Sequence, residues 1–185
     1  MAGTRRFKRL GEGEMSDAQR AAYRAIVEGP RGDARGPFNA LLRSPELAEH
    51  AQKLGAYVRF RSSLPAKLNE LAILVTARYW SAQFEWYAHA QLAEQAGLAA
   101  EVISEISRKE RPKNLSKEET AVYDFATELH EKKEVSDATF AAVKDVFGEK
   151  GIIDLIGACG YYTLVSMVLN VERTPVPGED PKPLK

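Results

Sequence analysis

The stretch Asn69–Gly97, NELAILVTARYWSAQFEWYAHAQLAEQAG, decides the fold. Leu71, Val75 and Tyr79 recur in steps of four, and the neighbouring faces are apolar as well. A helix that is apolar nearly all round lies at the centre of its fold, so the stretch predicts the core of an all-α protein. A break near residues 79–82 is expected, because one helix across the whole stretch would be unusually long for this chain.

Two polar residues inside the stretch, Glu85 and His89, are four positions apart. On a helix this spacing places both side chains on one face, close enough to touch. A carboxylate beside an imidazole can orient the ring and raise its basicity. Glu70 would join them if the two helices form a hairpin. These three residues are the predicted catalytic group. An exposed pair that only adds a little helix stability is the alternative.

Aromatic residues surround the predicted group and can form a pocket that excludes water. We expect Tyr79, Trp80 and Trp86 to line that pocket. Arg78 could bind a carboxylate of the substrate, because its planar guanidinium matches that shape. An exposed arginine at a helix end explains the same residue equally well.

The other reactive residue types give weaker signals. His50 and His130 lie in charged helical segments and are expected to be solvated, so no metal site is predicted. Cys159 lies in an apolar helix and is expected to be a buried core residue. Beside it, Tyr161 and Tyr162 could reach the predicted site or simply pack. A single cysteine excludes an intramolecular disulfide and favours a reducing, cytoplasmic setting.

The composition bounds the partners. The chain has 185 residues and a formal net charge of zero, so no global field would attract nucleic acid or an anionic membrane. The apolar segment Ile152–Val171 contains Asp154 and two glycines, and we interpret it as a buried or interface helix rather than a membrane span. The N-terminus carries no apolar run after its charges, so no secretory signal is expected.

Capping signals divide the chain into about six to eight helices. Capping boxes are predicted at Ser16 with Gln19 and at Ser116 with Glu119, and Ser44 before a proline is expected to cap another helix. Gly148 is expected to stop a helix before the last one begins. Residues 1–15 are predicted to be a flexible arm, 16–174 a single all-α domain, and 175–185 a Pro-rich tail.

ELAILVTARYWSAQFEWYAHAQLAEQAGL resembles the core of the carboxymuconolactone decarboxylase family, whose helical fold is shared with the alkylhydroperoxidase D (AhpD) proteins. The peroxidase branch carries a glutamate, a Cys-x-x-Cys pair and then a histidine. Glu70 and His89 match the glutamate and histidine, but Ala82 and Glu85 stand where the cysteines would be. The decarboxylase branch carries Glu-x-x-x-His, which Glu85 to His89 match.

The resemblance implies an AhpD-like helical bundle in a divergent subgroup, assembled as a trimer or hexamer. It also implies a cofactor-free acid–base lyase for a small unsaturated carboxylate or lactone, in which His89 transfers protons, Glu85 orients it and Glu70 assists. Two alternatives stay open: AhpD-like peroxidase chemistry, disfavoured by the missing thiols, and a non-enzymatic helical oligomer that binds a small ligand.

Overall fold

The computed structural model describes residues 4–178 and 183–184. Within these residues the chain forms eight α-helices, one short 3-10 turn and no strand, which confirms the predicted all-α class. The helices are α1 (Asp17–Val27), α2 (Phe38–Leu41), α3 (Pro45–Phe60), α4 (Ala66–Tyr79), α5 (Gln83–Gln95), α6 (Ala100–Ser107), α7 (Lys117–Lys132) and α8 (Asp137–Glu172).

Local capping chemistry sets several of the helix starts. The Ser16 hydroxyl accepts from the backbone N–H of Gln19, and the Ser116 hydroxyl does the same for Glu119. Both capping boxes are therefore confirmed. The expectation for Ser44 needs correction: it occupies the N-cap position of α3, but its side chain makes no capping hydrogen bond. Pro45 at the first helical position, with its preset backbone angle, starts this helix instead.

Helix α4 lies at the centre of the fold, as its apolar pattern predicted. All residues from 71 to 77 are buried, and the apolar ones belong to two core clusters. Leu71 and Leu74 pack into a cluster with α5, α6, α7 and α8. Ile73 packs into a cluster built from α1, α2, α3 and α8. Glu70, directly before this run, is partly exposed.

A tight turn joins α4 to α5 at the predicted break. Ser81 adopts a left-handed backbone conformation (φ 48°), and the Ala82 N–H donates to the carbonyl of Ala77 at 2.9 Å. These contacts end α4 and reverse the chain. The reversal packs α5 against α4, so that Glu70 on one helix faces His89 on the other.

Helix α8 bends sharply at Gly148, where φ is 66° and ψ is −175°. The predicted stop at this glycine is therefore a kink between two helical arms, 137–147 and 149–172. By length and composition α8 could cross a membrane, but 56% of its most apolar part is buried within the fold. A core helix of a water-soluble protein meets the same criteria, so this observation is weak support for a membrane span.

Segments outside the helices contact the ends of the bundle. Arg5 donates to the buried carboxylate of Glu172 at 2.8 Å, and the Arg6 N–H donates to the Glu172 carbonyl at 2.9 Å. Near the other terminus, Leu184 and Gln83 exchange two hydrogen bonds. The predicted arm and tail include residues 1–3, 179–182 and 185, which lie outside the described residues, and their boundaries stay predictions.

Candidate active site

The two helices of the α4–α5 hairpin bring Glu70, Glu85 and His89 into direct contact. His89 Nδ1 lies 2.6 Å from Glu70 Oε2, and His89 Nε2 lies 3.0 Å from Glu85 Oε1. The imidazole is thus held between two carboxylates from different helices. The Glu85 side chain is 5% exposed and that of Glu70 is 12% exposed, so the group opens to solvent mainly on the Glu70 side.

Burial by itself would lower the pKa of His89, because it penalises the charged imidazolium. The charge of Glu85, hydrogen bonds with Glu70 and Glu85 and the charge of Glu70 outweigh burial and raise the pKa to about 9. At neutral pH His89 is therefore an imidazolium whose two N–H groups donate to the two carboxylates.

The start of α5 adds a further favourable interaction. Glu85 is the third residue after the N-cap Ala82, whose side chain makes no capping hydrogen bond. The first backbone N–H groups of a helix lack intrahelical partners, and the helix dipole is positive at this end. The Glu85 carboxylate therefore sits in a region that favours negative charge, beside the ring it bonds.

Two tyrosines of α8 complete the surroundings of His89. The Tyr162 ring packs edge-on against His89 with 4.9 Å between the centroids, and Tyr161 packs edge-on against Tyr162 at 5.2 Å. Both tyrosines are buried. The sequence left open whether these tyrosines reach the site or only pack. Tyr162 reaches it, because its ring contacts His89. A loop residue that the sequence did not indicate, Arg31, contacts the Tyr161 hydroxyl at 3.4 Å.

Two of the four residues predicted to bind substrate line a different cleft. Arg78 and Tyr79 line a cleft of about 290 Å³ between α4, α6 and α7, and none of the three residues of the predicted catalytic group lines it. Trp80 donates from its indole N–H to Thr163, and Trp86 is buried in the core cluster around α4. That these four residues bind a substrate stays a prediction.

The expectation that His130 is solvated is wrong. It is buried, with Nε2 2.8 Å from Thr76 Oγ1 and its ring stacked on Tyr79 at 5.0 Å. Burial, together with the charge of Lys133, lowers the pKa of His130 to about 4, so the ring is neutral at physiological pH. The charged neighbours in sequence misled the prediction, because they lie on other faces of α7. His50 is exposed, as predicted.

Cys159 is buried, as predicted, and burial raises the pKa of its thiol to about 12. It is therefore a protonated thiol rather than a reactive thiolate at neutral pH. Among residues 4–178 and 183–184, no group of three or more histidine, cysteine, aspartate or glutamate side chains is arranged to hold a metal ion.

The eight-helix, strand-free arrangement of the described residues is an AhpD-like fold, which comparison with known proteins shows. Residues 45–128 match the carboxymuconolactone decarboxylase family. That segment contains α4, α5 and the three residues of the predicted catalytic group, and it belongs to this family, as the motif predicted.

Among the solved structures that share the fold is a protein of unknown function from Agrobacterium tumefaciens, described as a putative antioxidant defence protein AhpD. The two chains are 20% identical with a TM-score of 0.67, and the match covers 78% of this chain and 100% of the other. At this identity the likeness concerns the fold alone. No curated protein sequence matches the chain.

Proposed function

We propose that this protein is a lyase of the carboxymuconolactone decarboxylase type, which acts on a small unsaturated carboxylate or lactone by acid–base chemistry without a cofactor. The observation that carries the proposal is the position of His89, hydrogen-bonded at both ring nitrogens to Glu70 and Glu85. A buried imidazole between two carboxylates is a structure suited to holding and delivering a proton.

Decarboxylation breaks the bond between the carboxylate carbon and its neighbour, releases CO₂ and leaves an electron pair that must take up one proton. His89, protonated at neutral pH, supplies that proton. Because Glu70 is the more exposed carboxylate, the substrate displaces it and receives the proton from Nδ1. Glu85 keeps its bond to Nε2, holds the ring in place and stabilises the charge while the proton is transferred.

The sequence lacks the cysteine pair that the thiol chemistry of the peroxidase branch requires. Ala82 and Glu85 stand at the positions of the cysteine pair, and the chain has one cysteine, Cys159, with a raised pKa. A dithiol reaction needs two sulfur atoms within bonding distance. The absence of the pair supports the lyase over a peroxidase.

We further propose that the protein forms a homo-oligomer, a trimer or a hexamer, as the family resemblance implies. We also propose that it is cytoplasmic. An exposed apolar stripe on the second arm of α8 supports the oligomer. It is formed by Ile153, Ile156, Met167 and Val171. Their exposed fractions range from 41% to 66%. A row of large apolar side chains along one helix is typical of a surface that is covered in an assembly.

The proposal is tested by assaying the purified protein against carboxymuconolactone and a panel of small unsaturated lactones and carboxylates, with release of CO₂ as the readout. We expect His89→Gln to lower kcat by roughly 10²- to 10⁴-fold, the range lost with a general acid. His50→Gln, a change at an exposed histidine, serves as the matched control. Turnover that persists in His89→Gln would refute the assignment.

A parallel assay with an organic peroxide and a dithiol reductant separates the two branches. We expect no turnover of peroxide above the background of the reductant. If Cys159→Ala still reduces peroxide and no member of the panel releases CO₂, the lyase proposal is wrong and the protein has a peroxidase activity that does not use this thiol.

A further inference from the structure

The His89 imidazole contacts one aromatic ring in addition to its two carboxylate partners. The Tyr162 ring lies nearly perpendicular to it, at 80°, with 4.9 Å between the ring centroids. Both side chains are buried, and Tyr162 belongs to the core cluster that α8 forms with α1, α2 and α3. Aromatic pairs prefer this perpendicular arrangement, so the contact favours one orientation of the imidazole.

Two hydrogen bonds at the α4–α5 turn hold α8 beside the hairpin that carries His89. The indole N–H of Trp80 donates to the Thr163 hydroxyl at 3.3 Å, and the side-chain amide of Asn170 donates to the Trp80 carbonyl at 2.9 Å. Thr163 directly follows Tyr162 in α8. These bonds therefore help to fix the position of the Tyr162 ring relative to the hairpin.

A second tyrosine packs on Tyr162 and is itself held by α3. The Tyr161 ring lies perpendicular to the Tyr162 ring at 5.2 Å. A Cβ atom at Gly55 would lie 2.2 Å from the Tyr161 hydroxyl, so this hydroxyl rests directly on the backbone of α3. Arg31 donates to the same hydroxyl at 3.4 Å. Because protein interiors are close-packed, these contacts leave Tyr162 little room to move away from His89.

The proposed reaction removes one of the two hydrogen bonds that orient the imidazole. Once the substrate displaces Glu70, Nε2 of His89 keeps its bond to Glu85 and Nδ1 loses its fixed partner. A single hydrogen bond allows the ring to tilt, whereas proton transfer needs a nearly straight path from Nδ1 to the receiving atom. The Tyr162 ring is a contact that stays on the imidazole at this step.

The ring of Tyr162, rather than its hydroxyl, makes this contact. Within the described residues, no hydrogen bond joins the hydroxyl to His89, Glu70 or Glu85. Burial and the charge of Glu85 raise the pKa of Tyr162 well above its ordinary value, so the phenol stays neutral wherever His89 is protonated. The contact is therefore the same throughout the pH range in which His89 donates a proton.

We propose that Tyr162 is a positioning residue, whose ring keeps Nδ1 of His89 directed at the substrate after Glu70 has been displaced. This role rests on the proposed lyase function and deepens it, because it names a residue on a third helix that proton transfer requires. Tyr162 acts through His89, so the loss of its ring should lower kcat and leave KM unchanged.

The first experiment compares two substitutions of Tyr162 in the assay of CO₂ release. Tyr162→Leu removes the ring, and it should lower kcat by roughly 10- to 100-fold with KM within about twofold, because a small displacement of a reacting group has an effect of this size. Tyr162→Phe keeps the ring and should retain the wild-type kcat. Phe125→Leu removes a buried ring from the other core cluster and is the matched control, which should also retain kcat.

NMR spectroscopy of the His89 ring gives a second readout that does not depend on turnover. Glu70→Ala reproduces the state in which Nδ1 has lost its carboxylate. At about pH 6, where the imidazole is still protonated, the Nε2–H signal of Glu70→Ala should be sharp. Adding Tyr162→Leu should broaden it, because a tilting ring exchanges its proton with water, and adding Tyr162→Phe should not.

Several outcomes would overturn the positioning role. They are a wild-type kcat in Tyr162→Leu, and an equal loss of kcat in Tyr162→Phe or Phe125→Leu. If circular dichroism shows that Tyr162→Leu does not fold, Thr163→Val replaces it, since this change removes the bond from Trp80 and keeps the side-chain shape. It should lower kcat by roughly 2- to 10-fold, and an unchanged kcat would contradict the proposal.

The lyase function and the positioning role fail in different ways. If the wild type releases CO₂ and Tyr162→Leu has the same kcat, the lyase stands and the positioning role is wrong. If the wild type releases no CO₂ from any substrate, the lyase is wrong and the NMR comparison decides. A sharp signal in the Glu70→Ala, Tyr162→Leu protein then refutes the positioning of His89, and a broad one supports it.

Discussion

At the scale of single residues, His89 shows how neighbours from several elements define one chemical group. Glu85 comes from the same helix one turn away, Glu70 from the preceding helix and Tyr162 from α8. Burial lowers the pKa of His89, but the two carboxylates raise it by more, so the imidazole stays protonated at neutral pH. The same residue type at position 130, without a carboxylate partner, is neutral.

The protonation of His89 leads to a pH prediction. Its pKa in the folded state, about 9, is above the unfolded value, so proton donation should be constant through neutral pH and decline as pH rises past 9. The stability that this group adds is fully present below about 6.5 and lost as pH rises through 9. NMR titration of the ring, assigned by comparison with His89→Gln, checks this. A ring that titrates near 6.5 would contradict it.

His130 should change the pH dependence of stability in the opposite direction from His89. Its folded pKa, about 4, is below the unfolded value, so the unfolded state takes up a proton first as pH falls. Stability should therefore decrease between about pH 6.5 and 4, by on the order of 1–3 kcal/mol. Urea unfolding of wild type and His130→Gln at pH 7 and pH 4.5 measures this. His50→Gln, at an exposed position, should leave the pH dependence unchanged, and an equally steep decrease in His130→Gln would disprove the assignment.

At the scale of elements, the kink in α8 depends on the backbone angles of Gly148. Its combination of φ 66° and ψ −175° is essentially restricted to glycine. Gly148→Ala should therefore lower the free energy of unfolding by about 1–3 kcal/mol, although a Cβ there would meet no neighbouring atom. The penalty comes from the backbone and not from packing.

Gly157, in the second arm of the same helix, is the matched control. Its backbone is helical and a Cβ would meet no atom within 4 Å. Gly157→Ala should raise the stability of the protein by roughly 0.5–1 kcal/mol through helix propensity. Thermal unfolding of both variants gives the comparison, and equal effects would show that the kink does not depend on Gly148.

At the scale of the whole molecule, the proposed self-association can be tested on the apolar stripe of α8. Ile153 is the most exposed of its four residues, at 66%. Ile153→Lys should shift an oligomer toward monomer, because a charge buried at an apolar contact is costly. Light scattering coupled to size-exclusion chromatography measures the mass. Phe140→Lys, at a 43% exposed apolar residue on the first arm, should leave the mass unchanged. A monomeric wild type would refute the oligomer.

The sequence by itself determined the features that depend on neighbours a few positions apart. Helix starts at Ser16 and Ser116, the break after α4 and the stop at Gly148 follow from local hydrogen bonds and backbone preferences. The buried position of α4 follows from its apolar faces. The contact of Glu85 with His89 follows from helical spacing.

The tertiary structure alone decided which distant residues meet. The Arg31–Tyr161 bond joins residues 130 positions apart, and the Thr76–His130 contact spans 54. No local period connects such pairs, so the sequence alone predicted a solvated His130 and did not indicate Arg31. The packing of the helices determines these contacts. Burial of the apolar faces fixes the positions of the helices, and buried polar groups then form hydrogen bonds with the polar groups that lie close to them.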